Sequence, residues 1–221
     1  MQVIVLLSQK GGSGKTTLAG HIAVEAERRG AGPVALLDAD PQESLADWWN
    51  ARESETPAFA QTALWRLGRD VRALRSQGIE LVVIDTPPGI TSTVRGAIEL
   101  ADFIVVPVKP SPHDLRAVAK TVNLVEDIGK PLIFVVSCAS SWAQITPQTA
   151  IALSQHGSVA PAVIHQRADF ATSMIDGRTV MEIPRKSRSA EEVAELWDHL
   201  SNRLNNVNRT SLAPLREVAY A

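Results

Sequence analysis

Along the chain, short unbroken runs of apolar, largely β-branched residues alternate with longer segments whose apolar positions recur every three or four residues. The runs Gln2–Ser8, Val34–Asp38, Leu81–Asp85, Phe103–Val108, Leu132–Ser137 and Ala162–Ile164 predict strands. None of them alternates apolar with polar, so both faces of the sheet should be covered by helices. Helical spacing fills the intervals at Lys15–Arg29, Glu43–Ala51, Arg69–Gln77, Thr91–Leu100, Asp114–Ile128, Pro147–Gln155, Phe170–Asp176 and Ala190–Leu204. This alternation predicts an α/β fold built on a mostly parallel, doubly wound sheet. In the last helix Val193, Leu196, Trp197, Leu200 and Leu204 share one face, which should lie against the core. Beyond it Asn205 to Ala221 is polar with scattered apolar residues, so residues 1–204 are expected as one domain and 205–221 as a C-terminal tail.

Composition narrows the class. A chain of 221 residues, 45% hydrophobic and 21% charged, suits a single globular domain with a full core. The single cysteine, Cys138, has no partner for an internal disulfide, and Met1 to Leu7 lacks the basic start and long apolar core of a signal peptide. A cytoplasmic location is therefore expected. The apolar runs are too short to span a bilayer. A net charge of −2 gives no overall attraction to nucleic acid, so any DNA contact must come from a local basic patch. The five histidines show no metal-ligand spacing.

The candidate chemistry begins at Gln9-Lys10-Gly11-Gly12-Ser13-Gly14-Lys15-Thr16-Thr17. Strand, glycine turn and helix start follow in the order a phosphate-binding loop requires, although Gln9 stands where its first glycine belongs. Main-chain N–H groups from Gly11 to Gly14 and the helix N-terminus should face phosphate oxygens. Lys15 is expected at the β- and γ-phosphates, the Thr16 hydroxyl on Mg²⁺, and Thr17 near the α-phosphate. "LVVIDTPPG" supplies Asp85 at a strand end, where it would hold Mg²⁺ through water. "VALLDADPQ" ends in Asp38 and Asp40 on one side of its strand. Asp38 is expected as a metal residue; either acid could orient the attacking water, and Asp40, further out in the loop, is favoured. In "PVKPSPHDL", Ser111, Pro112 and Asp114 have the pattern of a helix cap, and Trp48-Trp49 suit packing.

Lys10-Gly11-Gly12-Ser13-Gly14-Lys15-Thr16, together with Asp38-Ala39-Asp40-Pro41-Gln42 and Asp85 to Gly89, resembles the deviant phosphate loop and companion motifs of the ParA/MinD ATPases. Val106 to Leu115 and Gln166 to Glu182 resemble the small ParF-like branch. The resemblance implies ATP and Mg²⁺ as ligands and an ATP-dependent homodimer in which Lys10 reaches the partner's phosphates. It further implies non-specific DNA binding on the nucleoid, with Arg167, Arg178, Arg185, Lys186 and Arg188 as contact candidates; Arg167 is also a candidate for nucleotide contact. A small ParB- or ParG-like centromere-binding protein would stimulate hydrolysis, as in plasmid or chromosome partition. The same mechanism with a cargo adaptor would position chemoreceptor clusters or microcompartments. A MinD-like membrane role is disfavoured, because Asn205 to Ala221 carries only Arg209 and Arg216 and few apolar residues.

Overall fold

The chain is described by a computed structural model covering residues 1–89, 92–183 and 187–211. Its strands are β1 (Gln2–Leu6), β2 (Val34–Asp38), β3 (Ala58–Gln61), β4 (Leu81–Asp85), β5 (Phe103–Val108), β6 (Leu132–Val136) and β7 (Ser158–Val159). The helices are α1 (Lys15–Arg28), α2 (Ser44–Asn50), α3 (Leu67–Ser76), α4 (Arg95–Leu100), α5 (Pro112–Ile128), α6 (Ile145–Ser154), α7 (Ala168–Met174) and α8 (Arg188–Ser211). All seven strands pair in parallel in the order β3-β2-β4-β1-β5-β6-β7.

Register decides where the chemistry collects. Leu6 pairs with Asp85 and Asp38 also pairs with Asp85, so the carboxyl ends of β1, β2 and β4 lie side by side. Strand order reverses at β1, where crevices form in open α/β sheets. The loop after β1 thus opens beside both acidic strand ends.

Successive side chains of each strand feed opposite layers. Ile4, Leu6, Leu36, Val83 and Val105 pack with α1, α2, α7 and α8, whereas Val3, Val5, Leu37, Val82 and Ile84 face α3, α4, α5 and α6. Two apolar faces explain why the strands read as unbroken apolar runs. Val193, Leu196, Trp197, Leu200 and Leu204 of α8 are all buried, as their spacing predicts.

The sequence pattern misses β3, a short edge strand directly after Pro57 whose residues are no more than half-buried. The predicted strand Ala162–Ile164 is not one. Pro161, without an N–H, ends the ladder after Val159. Beyond it, single bonds such as Ile164 N–H to Val136 O and an isolated Ala139–His165 bridge keep the chain near β6. Before α4, Ser92–Val94 forms a tight 3₁₀ turn, so the helix starts at Arg95; Thr91, its expected first residue, lies outside the described residues. Helix α8 is longer than its apolar stripe, running on to Ser211. Among the described residues no helix is long and apolar enough to cross a membrane.

Candidate nucleotide-binding site

The glycine loop is held from outside, leaving its inner surface to a ligand. The Ser8 hydroxyl both accepts from Lys10 N–H at 3.2 Å and donates to Lys10 O at 2.9 Å. Ser137, at the end of β6, donates to Ser13 O at 2.7 Å. Gly12 and Gly14 take φ of 70° and 90°, a left-handed conformation that side chains resist. Gly14 precedes α1 and offers no side-chain cap, so the first N–H groups of the helix are available to an anion. Lys15 is buried at the helix start, where burial lowers its pKa and the charges of Asp85 and Asp40 oppose that shift.

The acidic strand ends meet this loop. Thr16 Oγ1 donates to Asp85 Oδ2 at 2.6 Å, and the other Asp85 oxygen is buried with no partner among the described residues. Burial pushes the Asp85 carboxyl up to about 7, against the pull of Thr16 and Lys15. Asp38 is fully buried: one oxygen accepts from Asp40 N–H and the other from Ala46 N–H, each at 3.0 Å. Its pKa is raised chiefly by burial. Asp40 is half-buried in the turn that follows, where it accepts from Gln42 N–H at 3.0 Å. No group of three or more His, Cys, Asp or Glu among the described residues is placed to hold a metal. The unpartnered Asp85 oxygen beside the Thr16 hydroxyl instead suits Mg²⁺, which keeps water and takes phosphate oxygens.

The remaining expected residues separate. Lys10 is exposed, and its ammonium makes no hydrogen bond or ion pair with the described residues. Arg167 donates to Glu192 of α8 at 2.5 Å and lines a cavity of about 230 Å³ with Gly14, Thr17, Ser137, Cys138, Gln166 and Phe170. This cavity, next to the helix start, has the position and size for part of a nucleoside. Arg178 is paired with Asp176 at 2.6 Å on the surface. Arg188 is exposed at the start of α8, and Arg185 and Lys186 lie outside the described residues.

Three features escape the sequence pattern. Ser137 braces the loop, and Lys109 places its ammonium 3.5 Å from the point where a Cβ on Gly12 would stand. Their only signal is their position just after strand ends. The third is the anchoring of α2, the helix after Asp40. Trp48 packs on Gly20 and donates to Arg178 O at 3.0 Å, while buried Arg52 binds Gly177 O at 2.6 Å and Glu182 at 2.9 and 2.5 Å. Trp48 and Trp49 are packing residues, as expected; Trp49 stacks on Phe59. Ser111 caps α5 by accepting from Asp114 N–H, with Pro112 in the first turn.

Residues 4–180 match the CobQ/CobB/MinD/ParA nucleotide-binding domain. The chain belongs to this family. It is a ParA/MinD-type ATPase, with ATP and Mg²⁺ as its nucleotide and metal. It is 27% identical over 201 residues to the maintenance of carboxysome distribution protein A of Halothiobacillus neapolitanus, covering 86% of this chain and 91% of that one. It is also 28% identical over 149 residues to the protein ParA of Rhizobium radiobacter, 66% of each chain. In fold it resembles the cell division ATPase MinD of Pyrococcus furiosus, with a TM-score of 0.76 at 17% identity over 91% of this chain and 99% of that one. The family's work lies in partition or positioning.

Proposed function

We propose that this ATPase forms a homodimer with ATP, binds DNA non-specifically on the nucleoid in that state, and moves a cargo by cycling off when a partner stimulates hydrolysis. The observation that carries this is Lys10, exposed and without a side-chain partner among the described residues, at the mouth of a phosphate loop that already has its own lysine. Among the described residues of one subunit nothing pairs with it. At a face shared with a second nucleotide-loaded subunit it would meet the partner's phosphates and add charge where hydrolysis develops it.

In this account Gly11, Gly12, Ser13 and Gly14 present main-chain donors to the phosphates, and Lys15 neutralises them. ATP supplies the phosphoryl bond to be broken, and Mg²⁺ the charge that holds its oxygens. Thr16, and Asp85 through water, would hold the metal. Asp38 holds the loop to α2 from beside the metal, and Asp40 positions the attacking water. Thr17 and Arg167 line the nucleoside side. Of the DNA candidates, Arg178 and Arg167 are each paired with a carboxylate, Arg178 and Arg188 being exposed. Arg185 and Lys186 complete the proposed basic stretch.

The cargo reading follows the family. Plasmid or chromosome partition with a small ParB- or ParG-like partner is supported by the likeness to ParA. A second reading, positioning of a protein assembly through an adaptor, is favoured by the likeness to a carboxysome distribution protein over most of the chain.

Retention on non-specific duplex DNA, measured with ATP, ADP or no nucleotide across a salt series, tests the reading. Salt-sensitive retention with ATP alone is expected. Retention indifferent to nucleotide, or none at all, overturns it.

A further inference from the structure

Strand β5 pairs with β1 through Leu6 and Val105, so the turn that follows Val108 runs beside the glycine loop. Lys109 is the first residue of that turn. Its ammonium lies 3.5 Å from the position a Cβ on Gly12 would take, and the residue is half-buried. No carboxylate neutralises it: among the described residues it has neither an ion pair nor a hydrogen bond through its side chain. Asp114, the acidic residue of the following helix start, is bonded instead by the Ser111 hydroxyl at 2.5 Å. The positive charge is felt nearby, since it offsets part of the upward push that burial gives the Cys138 thiol. Cys138 itself borders the nucleoside cavity and the loop, its thiol 4.0 Å from Gly12 O.

A lysine stem reaches water easily, and an ammonium held beside the glycine loop without a counter-ion among the described residues is placed to receive an anion. The anion this loop accepts is a nucleotide polyphosphate. We propose that Lys109 is a second cation that its own subunit brings to the phosphate site, acting from the β5 side of the loop beside Lys15 within it. Its role is to hold the loop and bound polyphosphate by charge, as a positioning residue. The inference rests on nucleotide binding by this loop and is independent of DNA binding and of the cargo.

The test is equilibrium binding of Mg·ATP and Mg·ADP to the full chain, comparing Lys109→Gln and Lys109→Arg with the unaltered protein at low and high salt. Lys109→Gln should bind ATP roughly ten-fold more weakly at low salt, with a smaller loss for ADP, and the gap should narrow as salt rises. Lys109→Arg should keep affinity within about three-fold, because it keeps the charge. Unchanged affinity in Lys109→Gln overturns the proposal. So does an equal loss for ATP and ADP that salt leaves untouched and arginine does not rescue, since that pattern belongs to a structural role. If Lys109→Gln fails to fold, acetylation of the unaltered protein decides, read by mass spectrometry. Mg·ATP should shield Lys109 from the reagent, and labelling at the same rate with and without nucleotide overturns the assignment.

Discussion

The Thr16 hydroxyl and the Asp85 carboxylate meet at 2.6 Å although 69 residues separate them, because β1 and β4 pair with Leu6 opposite Asp85. The contact ties the start of α1 to the strand that brings in the acid proposed to face the metal. Asp85→Ala should therefore lower ATP turnover by at least about 100-fold and flatten its Mg²⁺ dependence, while ATP still binds through the loop. Phosphate release against Mg²⁺ concentration measures both effects. Turnover within a few-fold of the unaltered protein would remove Asp85 from the site.

The turn that follows helix α2 should be a structural hub. Arg52 is buried and satisfied by Gly177 O and Glu182, and Glu182 also accepts from Thr179 N–H and its hydroxyl at 2.8 Å each. Arg52→Ala leaves Glu182 without its counter-charge and should cost about 3–5 kcal/mol in urea unfolding. Gly177→Ala should also destabilise severely, since its Cβ would stand 2.4 Å from the Arg52 main chain at a φ of 74°. Arg178→Ala, by contrast, removes an exposed pair with Asp176 and should leave the unfolding midpoint unchanged.

His21 makes acid stability measurable. It is fully buried on α1, its Nδ1 bonded to Thr17 O at 2.7 Å while Nε2 accepts from Val180 N–H at 3.2 Å. Burial lowers its pKa from 6.5 to about 4. The unfolded chain then binds more protons between those values, so the contribution is fully present above pH 6.5 and declines as pH falls toward 4. The loss is roughly 3 kcal/mol at most. The raised Asp85 pKa acts in the opposite sense, favouring the ligand-free fold at low pH and losing that effect as pH rises through about 7. Unfolding of the unaltered protein minus that of His21→Gln, followed across pH, isolates the histidine. Equal pH slopes would show that His21 does not titrate on unfolding.

What the sequence discloses here follows from local pattern. The central strands are apolar without interruption because both faces are buried, and the loop from Lys10 to Thr17 carries its glycines at fixed spacing, so both are legible. Asp38 and Asp85 are visible as strand ends. Their division of labour is not, because it depends on Ala46 N–H approaching Asp38 across a turn. β3 is short and half-exposed, leaving little hydrophobic signal. Ala162–Ile164 has that signal but sits behind Pro161, where a ladder cannot continue. Lys109 and the Arg52–Glu182 pair are contacts between residues far apart in sequence, and only the topology brings them together. The pairing of Arg167 with Glu192 is of the same kind: a basic residue in a loop is plain to see, but its partner, 25 residues on, is not.

In the proposed dimer Lys10 completes a second subunit's site. Light scattering during size-exclusion of the purified protein, with ATP, ADP or no nucleotide, should show a dimer only with ATP, and Lys10→Ala should stay monomeric under ATP while binding the nucleotide with near-normal affinity. A Lys10→Ala protein that dimerises with ATP and hydrolyses it at the normal rate would contradict the account.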